Sequence, residues 1–331
     1  MIKAITITNH LDETLRLELT KPEESGFIIK EIKGLGPAKA QINFTEMATF
    51  DGALDNSARL GTRNIVISLV FLENPTIEDT RLLSYKYFPN KQKVIFGIET
   101  DRRHCEIVGR VEDNEPDIFS KQEGCEISIL CPDPYFYAKN NKITTFSGVD
   151  PLFEFPFSNE FEIKYENILD SKGQIILDDK GQPVQVLDKE ITETKTLELG
   201  EIRNVVERNI YYDGDVETGI VLTIHAIGLA NGITIYNGRT RELMKIDDEK
   251  LTAIMGSGIQ AGDDIIINTI KGQKSITMLR AGEYTNIINV FGRPITWFQL
   301  SKGDNLFICT AEEGVHNLQF TIENKILYEG V

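Results

Sequence analysis

The sequence has 331 residues, of which 41% are hydrophobic and 26% are charged. It is therefore long and apolar enough for two domains of about 150 residues that each bury a core, which excludes disorder as the dominant state. Lys and Arg number 35 against 51 Asp and Glu, giving a formal net charge of −16. A field of that sign repels phosphate backbones, so no sequence-specific binding of nucleic acid is expected.

Hydropathy predicts neither a targeting peptide nor a membrane span. The first residues alternate isoleucine with threonine, as a strand does, and lack the basic start and apolar stretch of a secretory signal. The longest uniformly apolar run covers residues 65–72, less than half of the about 20 residues that cross a bilayer as a helix.

The first half predicts a mainly β structure, because short runs rich in Ile, Val, Thr and Phe are bounded by Gly, Asn, Asp or Pro. These runs cover residues 2–8, 15–19, 27–32, 65–72, 94–100, 106–111 and 126–130. One segment, residues 73–90, predicts a helix of about three turns. Its Asn-Pro start, its early acids Glu78 and Asp79, and its stop at Pro89 suit the ends of a helix.

A domain boundary is predicted near residue 138. Residues 131–138, CPDPYFYA, place two prolines and three aromatic residues where the first series of strands stops, and polar residues follow. The predicted domains are therefore residues 1–138 and 139–331. In the second, predicted strands cover residues 153–157, 219–225, 232–236, 264–269, 275–279, 306–310 and 318–322. No sustained helical period is present there, so a β-sandwich is predicted.

An unusual segment at about residues 165–200 predicts a hairpin arm inserted in the second domain. Its sequence DSKGQ, starting at Asp170, is echoed by DKGQ, starting at Asp179, and apolar residues follow each copy. Two copies fall short of the three or so repeats that a solenoid needs. We expect two Lys-Gly turns in an arm that is either solvated or used in assembly.

The four cysteines, Cys105, Cys125, Cys131 and Cys309, show neither CxxC spacing nor the paired spacing of a disulfide framework. We expect buried thiols in a reducing compartment. The sequence predicts no metal site, since the histidines at positions 10, 104, 225 and 316 are far apart. His104 precedes Cys105 directly, and neighbours on a strand point to opposite faces, so a Cys-His dyad is geometrically poor.

Two glycine-containing motifs predict structural loops. Gly34-Leu-Gly36-Pro37 begins like a dinucleotide fingerprint but lacks the third glycine and the following helix. Residues 271–275, KGQKS, lack the residue order of a phosphate-binding loop. We therefore assign no cofactor-binding residue, and no cofactor is expected.

Paired carboxylates and the single tryptophan also have structural interpretations. Asp263 with Asp264, or Asp213 with Asp215, could form an acid/base pair, yet turn residues explain most such neighbours. Trp297 is expected to be a core or interface anchor, with a sugar-stacking platform as the alternative. No catalytic residue is assigned, and the chain is predicted not to be an enzyme.

The order of residues 36–71 resembles the N-terminal domain of the distal tail proteins of long-tailed (siphovirus-type) bacteriophages. The matching features are Gly36-Pro37, Asp51-Gly52, the turn at residues 59–63 and the apolar strand at residues 65–71. The resemblance continues through the predicted helix and residues 131–137. In the second half, residues 153–157, 261–265 and 297–305 resemble the galectin-like sandwich of the same family.

This resemblance implies a mainly β chain with an N-terminal β-barrel-like domain that carries one helix, followed by a galectin-like β-sandwich. It implies a hexameric ring, single or stacked, at the tail tip of a virion assembled in the host cytoplasm. The implied partners are further copies of the chain, the tail tube protein, the end of the tape-measure protein, the tail-associated tip protein and a receptor-binding protein. The family has no catalytic residues to transfer.

Two further hypotheses concern the ring. Its lumen is expected to be acidic, since a channel that conducts DNA benefits from walls that do not bind phosphate. The long loop at residues 36–63 and its flanking apolar strands are candidates for the heterologous contact that closes a ring. The alternative functions are a carbohydrate-binding adhesin that uses Trp297 and, third, a cell-wall hydrolase.

Overall fold

A computed structural model describes residues 1–47, 51–151, 165–187, 200–202, 205–292 and 295–331. Alternating apolar residues build the strands of the first half; in the strand Arg63–Phe71 every second side chain is buried. The elements of this half are β1 (Ile2–Thr8), β2 (Thr14–Glu18), α1 (Pro22–Ser25), β3 (Phe27–Lys33), β4 (Ala40–Glu46), β5 (Ala53–Leu60), β6 (Arg63–Phe71), α2 (Ile77–Tyr87), β7 (Lys93–Thr100), β8 (His104–Asp117), β9 (Gly124–Cys131) and β10 (Phe136–Ala138).

The large sheet of the first half is antiparallel, with strand order β2-β1-β7-β8-β9-β6-β3, and β10 pairs with β8. The predicted mainly β class is confirmed. The sheet is open, because β2 and β3 are its two ends and no strand among the described residues joins them into a barrel. Its core includes the fully buried aromatic side chains of Phe27, Phe88, Phe96 and Phe136.

The helix α2 confirms the prediction for residues 73–90 with narrower bounds. Thr76 caps its N-terminus by accepting a hydrogen bond from the Asp79 N–H, and the acids of the first turn suit the helix dipole. The buried Thr80 hydroxyl donates to the carbonyl of Leu72 at 2.7 Å, which fixes the helix to the end of β6. No described helix has the length and apolar character that crossing a membrane would require.

The second half continues with β11 (Lys142–Ser147), β12 (Val149–Pro151), β13 (Tyr165–Asn167), β14 (Gln185–Leu187), β15 (Gly200–Ile202), β16 (Val205–Tyr212), β17 (Thr218–Ala226), β18 (Thr234–Asn237), β19 (Glu242–Lys245), α3 (Asp248–Met255), β20 (Asp264–Asn268), β21 (Ser275–Arg280), β22 (Glu283–Asn286), β23 (Gln299–Leu300), β24 (Gly303–Thr310), β25 (Leu318–Asn324) and β26 (Leu327–Tyr328). Six of the seven strands predicted there are present, with shifted ends. The seventh, at residues 153–157, lies outside the described residues.

Two sheets of the second half share one core. The first has the order β11-β25-β17-β20-β21-β22 with β23 on β17, and the second has the order β16-β24-β18-β19. Leu222 and Phe320 from the first sheet and Phe307 and Cys309 from the second are all fully buried in one cluster. The arrangement is a β-sandwich, as the turn-rich pattern predicts.

The helix α3 contradicts the expectation of no helix in this half. Asp247 caps it by accepting from the Lys250 N–H at 3.2 Å, and Gly256 ends it with a φ of +77°. Leu251 is its only buried side chain. A helix that buries one residue leaves no sustained apolar period in the sequence.

The last described residues return to the first half. β26 pairs with β10, and the Leu327 N–H donates to the Tyr212 hydroxyl of the sandwich at 3.0 Å. Ile326 packs against both hydrophobic cores. Residues 326–331, called the tail below, therefore lie where the two halves meet.

Candidate assembly interface

β4 and β5 form a separate two-stranded antiparallel ribbon, so the interpretation of residues 36–63 as one long loop is wrong for both strands. The register places Ile42 opposite Ala58 and Phe44 opposite Asp55, and partners of a pair share a face. The sequence of β4, AQINFTE, alternates apolar with polar residues. The alternation of apolar and polar residues in β4 is the sequence signal for this strand, although no hydrophobic core lies against its apolar side chains.

The ribbon has one apolar and one polar face. The apolar face carries Ala40, Ile42, Phe44, Ala53, Ala58 and Leu60, and two acids, Glu46 and Asp55, lie on the same face towards its far end. On the polar face, side chains bond across the strands: Arg59 donates to Gln41 at 3.1 Å and Asn43 to Ser57 at 3.0 Å. These polar bonds leave the apolar face as the one that needs a cover.

No part of the described chain covers the apolar face towards its far end. Ile42 is 51% and Phe44 is 61% exposed. A two-stranded hairpin alone is marginally stable in water, and contiguous exposed apolar residues mark interaction surfaces. The ribbon is therefore the candidate interface.

Arg63 fixes the foot of the ribbon, where β5 leads into β6. Its side chain is buried, lies over the Phe136 ring at 4.6 Å, and donates to four backbone carbonyls. These belong to Gly34 and Gly36, both at 2.5 Å, to Glu329 at 2.6 Å and to Pro134 at 2.7 Å. Burial lowers the pKa of the Arg63 guanidinium. The Gly-Leu-Gly-Pro motif is thus a structural loop, as expected.

A groove of about 920 Å³ lies under the foot of the ribbon. Its lining residues are Ala40, Ala58, Arg59, Leu60, Pro132, Asp133, Pro134, Tyr135, Lys271 and Glu329. The apolar face of the ribbon, the proline-rich segment after β9, the sandwich turn at Lys271 and the tail all contribute. The apolar surface of the ribbon therefore continues into a concave site.

The ends of the large sheet are poor contact surfaces by comparison. β3 is irregular between Ile29 and Glu31, and Lys30 and Lys33 are exposed along it. β2 has five residues, and its Arg16 is engaged by carboxylates on both sides. Bulges, lysines and short strands oppose pairing with another chain.

The cysteines are buried free thiols, as expected. Burial raises the pKa of Cys105 and Cys131 to about 11 and that of Cys125 to about 12. His104 is exposed while its neighbour Cys105 is buried, so the two side chains lie on opposite faces of β8, as expected. Within the described part of the chain, no group of three or more His, Cys, Asp or Glu side chains could hold a metal ion.

Three of the four acids considered as acid/base pairs, Asp263, Asp264 and Asp215, have basic side chains as partners, and Asp263 also accepts from the Gln260 N–H in the expected turn. Asp263 is buried and receives Arg280 Nη2 at 2.6 Å and Nε at 2.8 Å, whereas Asp264 pairs with His225 Nδ1 at 2.7 Å. Asp215 lies 3.2 Å from Lys302 Nζ. Asp263 and Asp264 are thus each engaged by a different basic side chain.

Trp297 is half-buried and packs against the sandwich core. Lys274 Nζ lies 5.3 Å from the centre of its ring. This position suits the expected core or interface anchor. Residues 271–275 form the turn between β20 and β21 and the start of β21, so they are a structural loop, as predicted.

The arm contains both predicted Lys-Gly turns. Asp170 accepts from the N–H groups of Lys172 and Gln174, and Asp178 accepts in the same way from those of Lys180 and Gln182. The equivalent of Asp170 is thus Asp178 and not Asp179. The repeat has a period of eight residues.

Three backbone hydrogen bonds of 2.9 Å close the arm on itself. The Ile168 N–H donates to Val184, the Val184 N–H to Ile176, and the Ile176 N–H to Ile168. These residues are spaced by eight, so the repeat generates a triangle of bonds. The arm is a self-contained unit.

A scan against models of protein families matches none, and a search of curated proteins finds no relative. Several chains of solved structures are similar to this one. The crystal structure of the SPP1 Dit protein, described as a paradigm of the hub adsorption apparatus in phages infecting Gram-positive bacteria, is 12% identical with a TM-score of 0.59, covering 98% of this chain and 99% of that chain.

Two structures of the phage P2 baseplate in its activated conformation are also similar. The calcium form is 11% identical with a TM-score of 0.43, covering 98% of each chain, and the strontium form is 10% identical with a TM-score of 0.39, covering 97% of each. The likeness to SPP1 Dit shows that the chain shares, along nearly its whole length, the fold of a phage hub protein.

Proposed function

We propose that the chain is a ring-forming distal tail protein, a structural component of the tail tip of a bacteriophage or prophage. It would join the tail tube, with the end of the tape-measure protein, to the tail-associated tip protein and a receptor-binding protein. The shared fold with SPP1 Dit supports this role. Residues 1–138 would be the ring-forming domain and residues 139–331 the galectin-like sandwich with the inserted arm.

The observation that carries the proposal is the ribbon with its uncovered apolar face. In a closed ring each copy uses one surface to meet a different surface of its neighbour. A ribbon that projects from one copy and packs on the next would bury Ile42 and Phe44 in this way. A hexamer, as a single ring or as two stacked rings, is the expected assembly.

A row of acids at one end of β8 and β9 supports the hypothesis of an acidic lumen, while Lys93 and Arg110 lie opposite each other further along the exposed face of the same sheet. Glu115 lies directly opposite Glu126 in the register of β8 and β9, and the acids Asp113 and Asp117 continue this row at exposed positions. Like charges directly opposite each other destabilise a sheet. A wall that must not bind DNA phosphates would favour this arrangement.

The first experiment measures mass by light scattering over a concentration series. We expect a hexamer or dodecamer for the natural protein. Phe44→Asp places a charge on the apolar face and should give monomers, whereas Asn43→Asp places the same charge on the polar face of the same strand and should keep the ring.

Circular dichroism of both variants checks that each is folded. A natural protein that remains a monomer throughout the series contradicts the proposal. So does a Phe44→Asp variant that assembles as well as Asn43→Asp.

A further inference from the structure

We propose that the groove under the foot of the ribbon binds the ribbon tip of the next copy, with Asp55 of one copy facing Lys271 of the other. The tip comprises residues 44–47 and 51–55. This inference rests on the proposed ring function and adds the sandwich to the ring contact, since Lys271 belongs to the turn between β20 and β21.

The length of the ribbon excludes its own tip as the occupant of the groove. β4 has seven residues, and at about 3.3 Å per residue its two ends lie about 20 Å apart. Ala40 lines the groove at one end, while Phe44 lies towards the other. A paired strand does not bend back on itself over that distance, so a ribbon tip in this groove comes from another copy.

The tip and the groove match in apolar character. The tip exposes Phe44 on the apolar face, Leu54 (46%) on the opposite face and Met47 (41%) just after β4. The groove offers Leu60, Pro134 and other apolar side chains in a space of about 920 Å³. Burial of an aromatic ring removes about 150–250 Å² from water, which makes Phe44 the natural anchor of the contact.

The charges match as well. Asp55 shares a face with Phe44, and within the described residues it forms no ion pair. Lys271 is exposed in the groove and has no ion pair there either. The groove also holds two acids, Asp133, which accepts from the Tyr137 hydroxyl, and Glu329 on the tail, and a second cation, Arg59, which donates to Gln41 on the ribbon itself. Lys271 is the cation that the sandwich contributes to the groove, and it is the one placed to receive Asp55 of another copy.

A second copy of this chain is the occupant because one surface supplies both halves of the contact. The apolar face runs from the foot, which lines the groove, to the tip, which projects. Each copy thus presents a projecting tip at one place and a groove that can receive a tip at another. Such a heterologous contact repeats from copy to copy and closes when the rotation fits.

A charge exchange tests the contact. Asp55→Lys alone and Lys271→Asp alone should each raise the protein concentration at half-dissociation of the ring by at least about tenfold, and the double variant should return close to the natural value. Glu283→Lys and Lys121→Asp are matched controls, since both residues are exposed and lie outside the groove. Both controls should assemble normally.

A second measurement uses engineered cysteines. The natural thiols are all buried, so Asp55→Cys with Lys271→Cys provides the only accessible pair within the described chain. Oxidation should produce covalent multimers on a non-reducing gel, up to the full ring, while either single variant gives none.

The outcomes separate this inference from the proposed function. A natural ring with unaffected single variants and no covalent multimers overturns the groove contact and leaves the ring in place. Single variants that dissociate without rescue or cross-linking show that the ribbon binds elsewhere, on the neighbour or on another tail protein, and also overturn it. A natural protein that is always monomeric overturns both.

Discussion

Arg63 in the first half and Arg280 in the sandwich each hold several chain segments together, and they differ in what balances their charge. Arg280 meets a buried carboxylate, Asp263, through two bonds of 2.6 and 2.8 Å, and also donates to Ser257 and Gly258. Arg63 meets only carbonyl oxygens and an aromatic face. The pKa of Arg280 is accordingly raised by its bond to Asp263, whereas burial lowers that of Arg63.

The difference is that Arg280 fixes a local contact, whereas Arg63 connects segments that are distant in the sequence. Arg280 and Asp263 are 17 residues apart, and their pair fixes one loop beside α3. The carbonyls around Arg63 come from residues 34, 36, 134 and 329. A carboxylate would have bound the Arg63 guanidinium at one point of the chain, whereas the carbonyls that accept its hydrogen bonds belong to three separate segments. Arg63 therefore positions the foot of the ribbon relative to the tail.

The largest effect is expected from breaking the ion pair of the sandwich. Arg280→Met leaves the Asp263 carboxylate buried with the Gln260 N–H as its remaining donor, and should lower the free energy of unfolding by about 3–5 kcal/mol in urea titrations.

Arg16→Met is the control for that variant. Arg16 also binds two carboxylates, those of Glu18 and Glu99, but its side chain is 44% exposed. Arg16→Met should lower the free energy of unfolding by about 0–1 kcal/mol. If both variants lose the same amount, burial is not what makes the Arg280 pair important.

Arg63→Met is expected to have the second largest effect. It should lower the free energy of unfolding in urea titrations by about 2–3 kcal/mol. No buried anion is left behind, and the Pro134 and Glu329 residues line a groove that admits water, so part of the lost hydrogen bonding is recovered. Arg63→Lys should lose a similar amount, because one ammonium cannot reach four carbonyls. A loss greater than that of Arg280→Met would contradict the comparison.

Local patterns predicted most strands and the capped helix. The strand predicted at residues 2–8 is found as Ile2–Thr8, because its alternation is set by neighbouring residues. The helix α3 was missed although its acidic start and Gly256 stop were visible. The resemblance of residues 36–71 and 131–137 to distal tail proteins predicted a fold that the likeness to SPP1 Dit supports.

The surroundings of Arg63 and the groove could not be predicted in the same way. The partners of Arg63 are backbone oxygens, which every residue carries, so no pattern of side chains marks them. The groove joins the ribbon, residues 132–135, Lys271 and the tail, which meet only in the folded chain. The alternation in β4 was visible in the sequence. Such a pattern normally marks a strand with one face against a hydrophobic core, and β4 has no such core.

The smallest effect is expected at Tyr212. This residue lies at the junction between the first half, which contains Arg63, and the sandwich, which contains Arg280. Its buried hydroxyl donates to Val216 at 2.7 Å and accepts from the tail at Leu327, and burial raises its pKa to about 12. Tyr212→Phe should cost about 1 kcal/mol at neutral pH, measured by urea unfolding, because it removes both bonds.

The pH dependence gives the sharper test of that junction. An unfolded tyrosine ionises near pH 10, so the folded state favours the neutral phenol, and its contribution is complete below that pH and lost as the pH rises towards 12. The natural protein should therefore lose stability over that range more steeply than Tyr212→Phe. Tyr211→Phe, at a 57% exposed neighbour, should keep the natural slope. Equal slopes in all three would mean that the phenol ionises without disturbing the tail, which would then be held by its other contacts, those with β10, Arg63 and Arg103.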